Sequence, residues 1–113
     1  MSQKEDACQH KILILKDTLE VIQGKWRLPI IISLIHGNKR FGEIQRDIKD
    51  ISPKMLSQEL KALEINKIIT RTLYDSMPVT VEYSITPLGK TMHKLVDEIL
   101  EWGIRFRKEI IGK

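Results

Sequence analysis

The chain has 113 residues, with 19 lysines and arginines against 15 acidic residues and a net charge of +4. One domain of this length buries roughly two-thirds of its unfolded surface, and the mild basic excess permits a nucleic-acid partner without requiring one. A single cysteine excludes an internal disulfide and a cysteine-rich zinc site, and an aromatic share of 5% argues against single strands held by stacked rings.

The first residues, M-S-Q-K-E-D-A-C-Q-H, contain no apolar signal core, and no apolar run approaches the roughly 18 residues of a membrane span. A soluble, cytoplasmic protein without a membrane partner is expected. Residues 1–11 are polar, and fraying is expected there. Ile12, Leu15, Leu19 and Ile22 then recur at helical steps and predict an amphipathic helix that Gln23-Gly24 ends. From Lys25 runs W-R-L-P-I-I-I-S-L-I-H-G. Its β-branched residues suit a strand. Pro29 in a first turn and a stop at Gly37 favour a buried helix instead, with Trp26 anchoring the core.

Gly37-Asn38 reads as a turn. Phe41, Ile44 and Ile48 give the next short segment one apolar stripe, and Lys49-Asp50-Ile51 connects it to a second helix, I-S-P-K-M-L-S-Q-E-L-K-A-L-E, from Ile51 to Glu64. Ser52 can cap that helix and Pro53 suits its first position. Leu56, Leu60 and Leu63 fall on one face; Lys54, Ser57, Gln58 and Lys61 fall on the other. Taken alone, that outer face is most simply a solvated one. Two short helices joined this way, however, form a helix-turn-helix unit whose second helix enters the major groove. Neither helix can bury its stripe without the Trp26 helix behind it, which gives a three-helix core.

The period then changes. Ile68–Tyr74 and Val79–Ile85, separated by Asp75-Ser76-Met77-Pro78, read as a β-hairpin in which Val79, Val81, Tyr83 and Ile85 alternate with polar neighbours as one buried face. A hairpin directly after a recognition helix is a wing. Thr86-Pro87 repeats the cap-then-proline signal and opens a final helix to Ile111, about 36 Å long at 1.5 Å per residue. Leu88, Met92, Leu95, Ile99, Trp102, Phe106 and Ile110 form its stripe. A lone three-helix core leaves much of that stripe wet, so a second copy of the chain is expected to cover it, with Leu15 and Leu19 joining the interface. The alternative is that the last helix folds back onto the first.

In this order the segments resemble the HxlR-type winged helix-turn-helix transcriptional regulators. The matching pieces are T-L-E-V-I-Q-G-K-W at Thr18–Trp26, K-R-F-G-E-I at Lys39–Ile44, the Ile51–Glu64 helix, V-E-Y-S-I-T-P-L-G at Val81–Gly89 and E-W-G at Glu101–Gly103. The resemblance implies a mainly α fold with a small β-hairpin (α+β), a DNA-binding domain over residues 8–107, and terminal extensions at 1–7 and 108–113. It also implies a homodimer joined through its terminal helices and reading a roughly palindromic operator in double-stranded DNA. The helix from Ser52 to Glu64 would read bases, Arg40 would lie near the backbone, and the hairpin tip would be the wing. Two features depart from the family pattern. Thr80 stands where relatives often carry Arg or Lys, and the wing tip has no cation, which leaves Arg71 as the nearest substitute. Cys8 lacks the Cys-Pro pairing of many relatives, some of which sense oxidants or electrophiles through that thiol.

The candidate DNA contacts are therefore Lys39, Arg40, Ser52, Lys54, Ser57, Gln58, Lys61 and Arg71. The candidate dimer interface comprises Leu15, Leu19, Leu95, Ile99, Trp102, Phe106 and Ile110. Cys8, near Lys4, His10 and Lys11, is either an ordinary N-terminal cysteine or a redox site. His10, His36 and His93 lack ligand spacing, so no metal and no cofactor is expected. No phosphate loop or nucleophile set points to an enzyme. Met55 and Met92 read as core or interface residues, with a methionine-lined pocket for a small-molecule effector left open. The rival reading is a winged-helix module that docks an acidic protein.

Overall fold

The computed structural model of the chain describes residues 3–113. Its elements are α1 (Gln3–Ile22), α2 (Arg27–Ile35), α3 (Phe41–Ile48), α4 (Pro53–Ile65), β1 (Ile69–Tyr74), β2 (Thr80–Ile85), α5 (Pro87–Lys90) and α6 (Met92–Ile110). The isoleucine-rich segment is a helix, since its first turn accommodates Pro29 and Ile30, Ile31, Ser33 and Leu34 all point inward.

The core is one cluster. Ile30, Ile31 and Leu34 of α2, Ile44 of α3, and Leu56, Leu60 and Leu63 of α4 are buried together, with Ile51, Ile68, Ile69 and Val96 completing it. The three-helix core expected from the sequence is thus extended by the base of the hairpin and the root of α6. Ser52 caps α4 as anticipated, its hydroxyl accepting from the Met55 amide at 3.1 Å. At α3 the Glu43 carboxylate accepts from the Arg40 amide at 2.8 Å. The connection between α3 and α4 is tight, because Lys49 and Asp50 take φ of 61° and 53°. Non-glycine residues held there cost of order 1–3 kcal/mol each, and the buried Ile51 and the capped start of α4 hold them in place.

The hairpin is antiparallel, with Ile69 opposite Ile85 and Tyr74 opposite Thr80. It does not show the clean alternation expected of it. Val79 is exposed and lies outside β2, and all of β2 is half-buried. Tyr83 and Ile85 pack on the core, while the outer half of the hairpin projects beyond it with Leu73, Tyr74 and Met77 exposed. Lys39 adds a short bridge to its inner edge, its amide donating to the Tyr83 carbonyl at 3.0 Å and its carbonyl accepting from the Tyr83 amide at 2.7 Å.

Both terminal segments differ from the sequence reading. Residues 3–11 are helical, so α1 runs through the stretch expected to fray; residues 1 and 2 lie outside the described residues. Gln, Lys, Glu and Ala are good helix formers, and Glu5 and Asp6 occupy the first turn, where the helix dipole favours carboxylates. The final helix is broken at Thr91. Thr86 caps α5, its hydroxyl accepting from the Gly89 amide at 2.9 Å and lying 2.7 Å from the Lys67 carbonyl. That corner presses Gly89 onto the exit of α4, where a Cβ would meet the Ile68 carbonyl and approach Ile85 Cγ1 to 2.6 Å. From there the 19 residues of α6 extend about 28 Å.

Neither terminal helix buries its stripe. α1 has no buried residue, and α6 buries Val96 alone. Leu15, Leu19, Leu95, Ile99, Trp102, Phe106 and Ile110 are all exposed, with Trp102 stacked on Phe106 at 5.2 Å. The fold-back alternative is therefore not how the chain packs.

Replacing Gly89 by Ala should destabilise the fold by about 3 kcal/mol, the upper end for overpacking, since the obstacle is backbone that cannot yield. Urea unfolding of the two proteins measures this, and an unchanged midpoint would mean that the corner is loosely packed.

Candidate nucleic-acid interface

The packing of Leu56, Leu60 and Leu63 decides which side of α4 faces out. Lys54, Ser57, Gln58 and Lys61 are all exposed on it, and Lys54 stands in the first turn, where no carboxylate competes. Ser52 spends one lone pair on its cap and keeps its hydroxyl proton to donate.

The hairpin brings a second set of groups to this face. Ser57, Lys61 and Glu64 of α4 line one recess together with Arg71 and Tyr83, which are paired across the two strands. Two cations, a hydroxyl and a phenol thus converge between the helix and the wing, where phosphate oxygens or base edges could be held. Glu64 tempers the positive charge at the rim. A second recess joins Arg40 to Arg46, with Asn38, Glu43 and Glu82 around it. Arg46 was not singled out from the sequence, where it is one of several charged residues on α3. Only the fold puts its exposed guanidinium beside Arg40.

Lys39 is placed differently from the others. Its ammonium pairs with Asp47, whose carboxylate also accepts from the buried Ser33 hydroxyl at 2.7 Å. The Lys39 hydrogen bond, followed by that of Ser33, holds the Asp47 carboxyl below its ordinary value. Lys39 thus ties the bridge at Tyr83 to α2 and α3, and part of its charge is already matched.

The remaining candidates do not converge on a site. Cys8 is exposed on α1. Among the described residues no group of His, Cys, Asp and Glu could hold a metal ion. No described helix is long and apolar enough to cross a membrane.

Known proteins share this fold. The family model of HxlR-like helix-turn-helix proteins matches residues 21–110. The chain is 38% identical over 95 residues to the uncharacterized HTH-type transcriptional regulator YtcD of Bacillus subtilis, covering 84% of this chain and 75% of that one. Among solved structures, the redox regulator HypR in its reduced form superposes with a TM-score of 0.81 at 36% identity, covering 88% of this chain and 98% of HypR. Diamide-treated YodB of B. subtilis superposes with a TM-score of 0.70 at 35% identity, over 80% of this chain and 90% of YodB.

The Asp47 network generates a pH prediction. A carboxyl whose folded pKa is depressed contributes stability that is present above its unfolded pKa, about 3.9, and is lost as pH falls through the folded value. Asp47→Asn should therefore lower the urea midpoint at pH 7, and the gap to wild type should narrow progressively as pH falls below about 3.9. A gap that persists undiminished at pH 3 would mean that the carboxylate charge is not what stabilises the network.

Proposed function

The chain belongs to the HxlR-like helix-turn-helix family, and on that premise we propose that it is a transcriptional regulator that binds double-stranded DNA sequence-specifically, as a homodimer on a palindromic operator. The observation that carries this reading is the single outward surface made by α4 and the wing. Lys54, Ser57, Gln58 and Lys61 are all exposed on α4, and Ser57 and Lys61 share a recess with Arg71, Tyr83 and Glu64.

In this reading α4 lies in the major groove. Gln58 pairs with adenine and Lys54 or Lys61 with guanine. Arg71, Arg40 and the newly placed Arg46 bind phosphates and set register, as does Ser52 at the helix start. Lys39 contributes mainly by anchoring the wing, since Asp47 already holds its ammonium. The wing tip, Asp75 to Pro78, has no cation, which shifts the phosphate contacts toward Arg71 and the two arginines near α3.

The dimer would join the stripes that each protomer leaves exposed: Leu15 and Leu19 on α1, and Leu95, Ile99, Trp102, Phe106 and Ile110 on α6. Apolar stripes of this extent on one small domain are the mark of an interaction surface. Two-fold symmetry then places the half-sites about one helical turn apart, on the order of 34–36 Å. Such a regulator works where the chromosome is, in the cytoplasm.

Band shifts on duplex selected from a random pool test this directly. With 6 to 10 phosphates neutralised, affinity should fall about 10³- to 10⁵-fold between 50 and 200 mM salt. Arg71→Ala should lower the salt slope by about 1, while Gln58→Ala should relax base preference at one position by about 1–3 kcal/mol. Salt-independent binding, or the same base preference in Gln58→Ala, would contradict the assignment.

Responsiveness to oxidants is a second layer of the proposal, supported by the exposed Cys8 thiol and by the likeness to the redox regulator HypR. Cys8→Ser should bind operator as wild type does and keep that binding in diamide, while wild type releases it. Equal release of both proteins would eliminate Cys8 as the sensor.

A further inference from the structure

Arg27 stands where three helices meet. It is the first residue of α2, and its guanidinium reaches in two directions. Nη1 donates to the carbonyls of Glu20 at 2.9 Å and Val21 at 3.0 Å, in the last turn of α1, which the helix itself leaves without partners. Nε donates to Glu59 Oε2 at 2.6 Å, in the middle of α4. The pair is largely withdrawn from water, with side chains 13% and 20% exposed. A planar guanidinium spans both helices because its N–H groups sit on separate nitrogens held in one plane, whereas a lysine has a single nitrogen to place.

The rest of α1 gives this contact its weight. None of its residues is buried, and Val21 is the one that packs against the core. The chain leaves α1 through Gln23 and Gly24, and Gly24 sits at φ 80° with open space around it. The other long helix, α6, is rooted by the buried Val96. At the base of α1 there is instead a glycine swivel with one forked polar contact across it. The far end of that contact is on α4.

Resting on the reading above, in which α1 joins the dimer contact and α4 enters the groove, we propose that Arg27 and Glu59 form a clasp that fixes the angle between them. The clasp thereby sets which half-site spacing the dimer accepts. Both are positioning residues, since neither belongs to the outward face of α4. With the clasp closed, the two reading helices stand at one separation. With it open, each head turns about Gly24 relative to its arm.

Two variants open the clasp by different routes. Glu59→Ala removes the carboxylate but keeps a good helix former. Arg27→Lys keeps a cation beside Glu59 but cannot fork. Both should remain dimeric and unfold cooperatively. The probe is duplex selected from a random pool by wild type, rebuilt with its spacer lengthened or shortened by one or two base pairs. Off the selected spacing, wild type should lose about tenfold or more in affinity, as for a mismatched site, while the variants stay within about threefold across the series. Affinity for an isolated half-site should be unchanged, a result that general destabilisation would not give.

A DNA-free measurement separates the clasp from the operator reading. Spin labels at Glu64→Cys, in a Cys8→Ser background, report the distance between the two α4 helices of a dimer. The distribution should be narrow with the clasp intact and broad in both variants. Spacer profiles and distributions as sharp in the variants as in wild type would overturn the clasp and leave the operator reading standing. A wild type that selects no duplex would sink the operator reading, and the labels would then decide the clasp alone. A monomeric wild type would overturn both.

Discussion

Leu56, Leu60 and Leu63 are withdrawn from water in one cluster with Ile30, Ile31 and Leu34 of α2 and Ile44 of α3, and that burial decides which side of α4 remains outside. Each such side chain stabilises the fold by roughly 1.5–3 kcal/mol. Rotating α4 to hide Lys54 or Lys61 would expose the leucines and bury cations without partners, so its orientation is strongly fixed. The positive φ values at Lys49 and Asp50, the Ser52 cap and the fit of Gly89 against Ile68 follow from that orientation. Each bends or seats the chain so that one face of α4 can stay in the core. The wing inherits its position from the same source, because Ile68 and Ile69 at its base belong to the cluster.

The same small core explains why the terminal helices look unfinished. It covers Val96 and part of Met92 of α6 and part of Val21 of α1, and there it ends. Two long amphipathic helices stand out from it, each with an apolar stripe in water. Their attachment differs, and the difference is what makes Arg27 informative. The buried Val96 roots α6, whereas α1 is held at its last turn by the half-buried Val21 and by polar contacts, beside a glycine at φ 80°. An apolar root tolerates sliding, but a forked guanidinium tolerates little change in direction. In the proposed dimer, the angle between α1 and α4 is thus more exposed to changes at Arg27 than to changes along the stripes.

Much of this was legible in the sequence wherever the signal was local. Ser52-Pro53 and Thr86-Pro87 announced their helix starts because a cap and a first-turn proline act within a few residues. The leucine and isoleucine steps gave the inward faces of α3 and α4 for the same reason. What escaped depends on groups distant in sequence. The bridge from Lys39 to Tyr83 spans two elements, and the Lys39–Asp47–Ser33 network draws on three stretches of chain. Arg27 and Glu59 are 32 positions apart and carry no motif of their own. The break at Thr91 also arises from tertiary contact, since Gly89 must meet the Ile68 carbonyl before α6 can begin. The helical state of residues 3–11, ahead of the helix expected from Ile12, escaped for another reason. Those residues have helix propensity without an apolar stripe, so no periodicity marks them. The outward face of α4 was readable as a pattern of residues, whereas the recess it shares with Arg71 and the one that Arg40 shares with Arg46 needed the fold.

In the proposed complex, two copies of α4 enter successive major grooves on one side of a duplex. Hydroxyl-radical and methylation-interference footprinting on the selected duplex tests it most directly. The expected result is two symmetry-related patches of protected backbone on one face, centred about 10–10.5 base pairs apart, with interfering guanines or adenines in the major groove within each. A single unsymmetrical patch, or no protection on duplex that the protein retains, would contradict it.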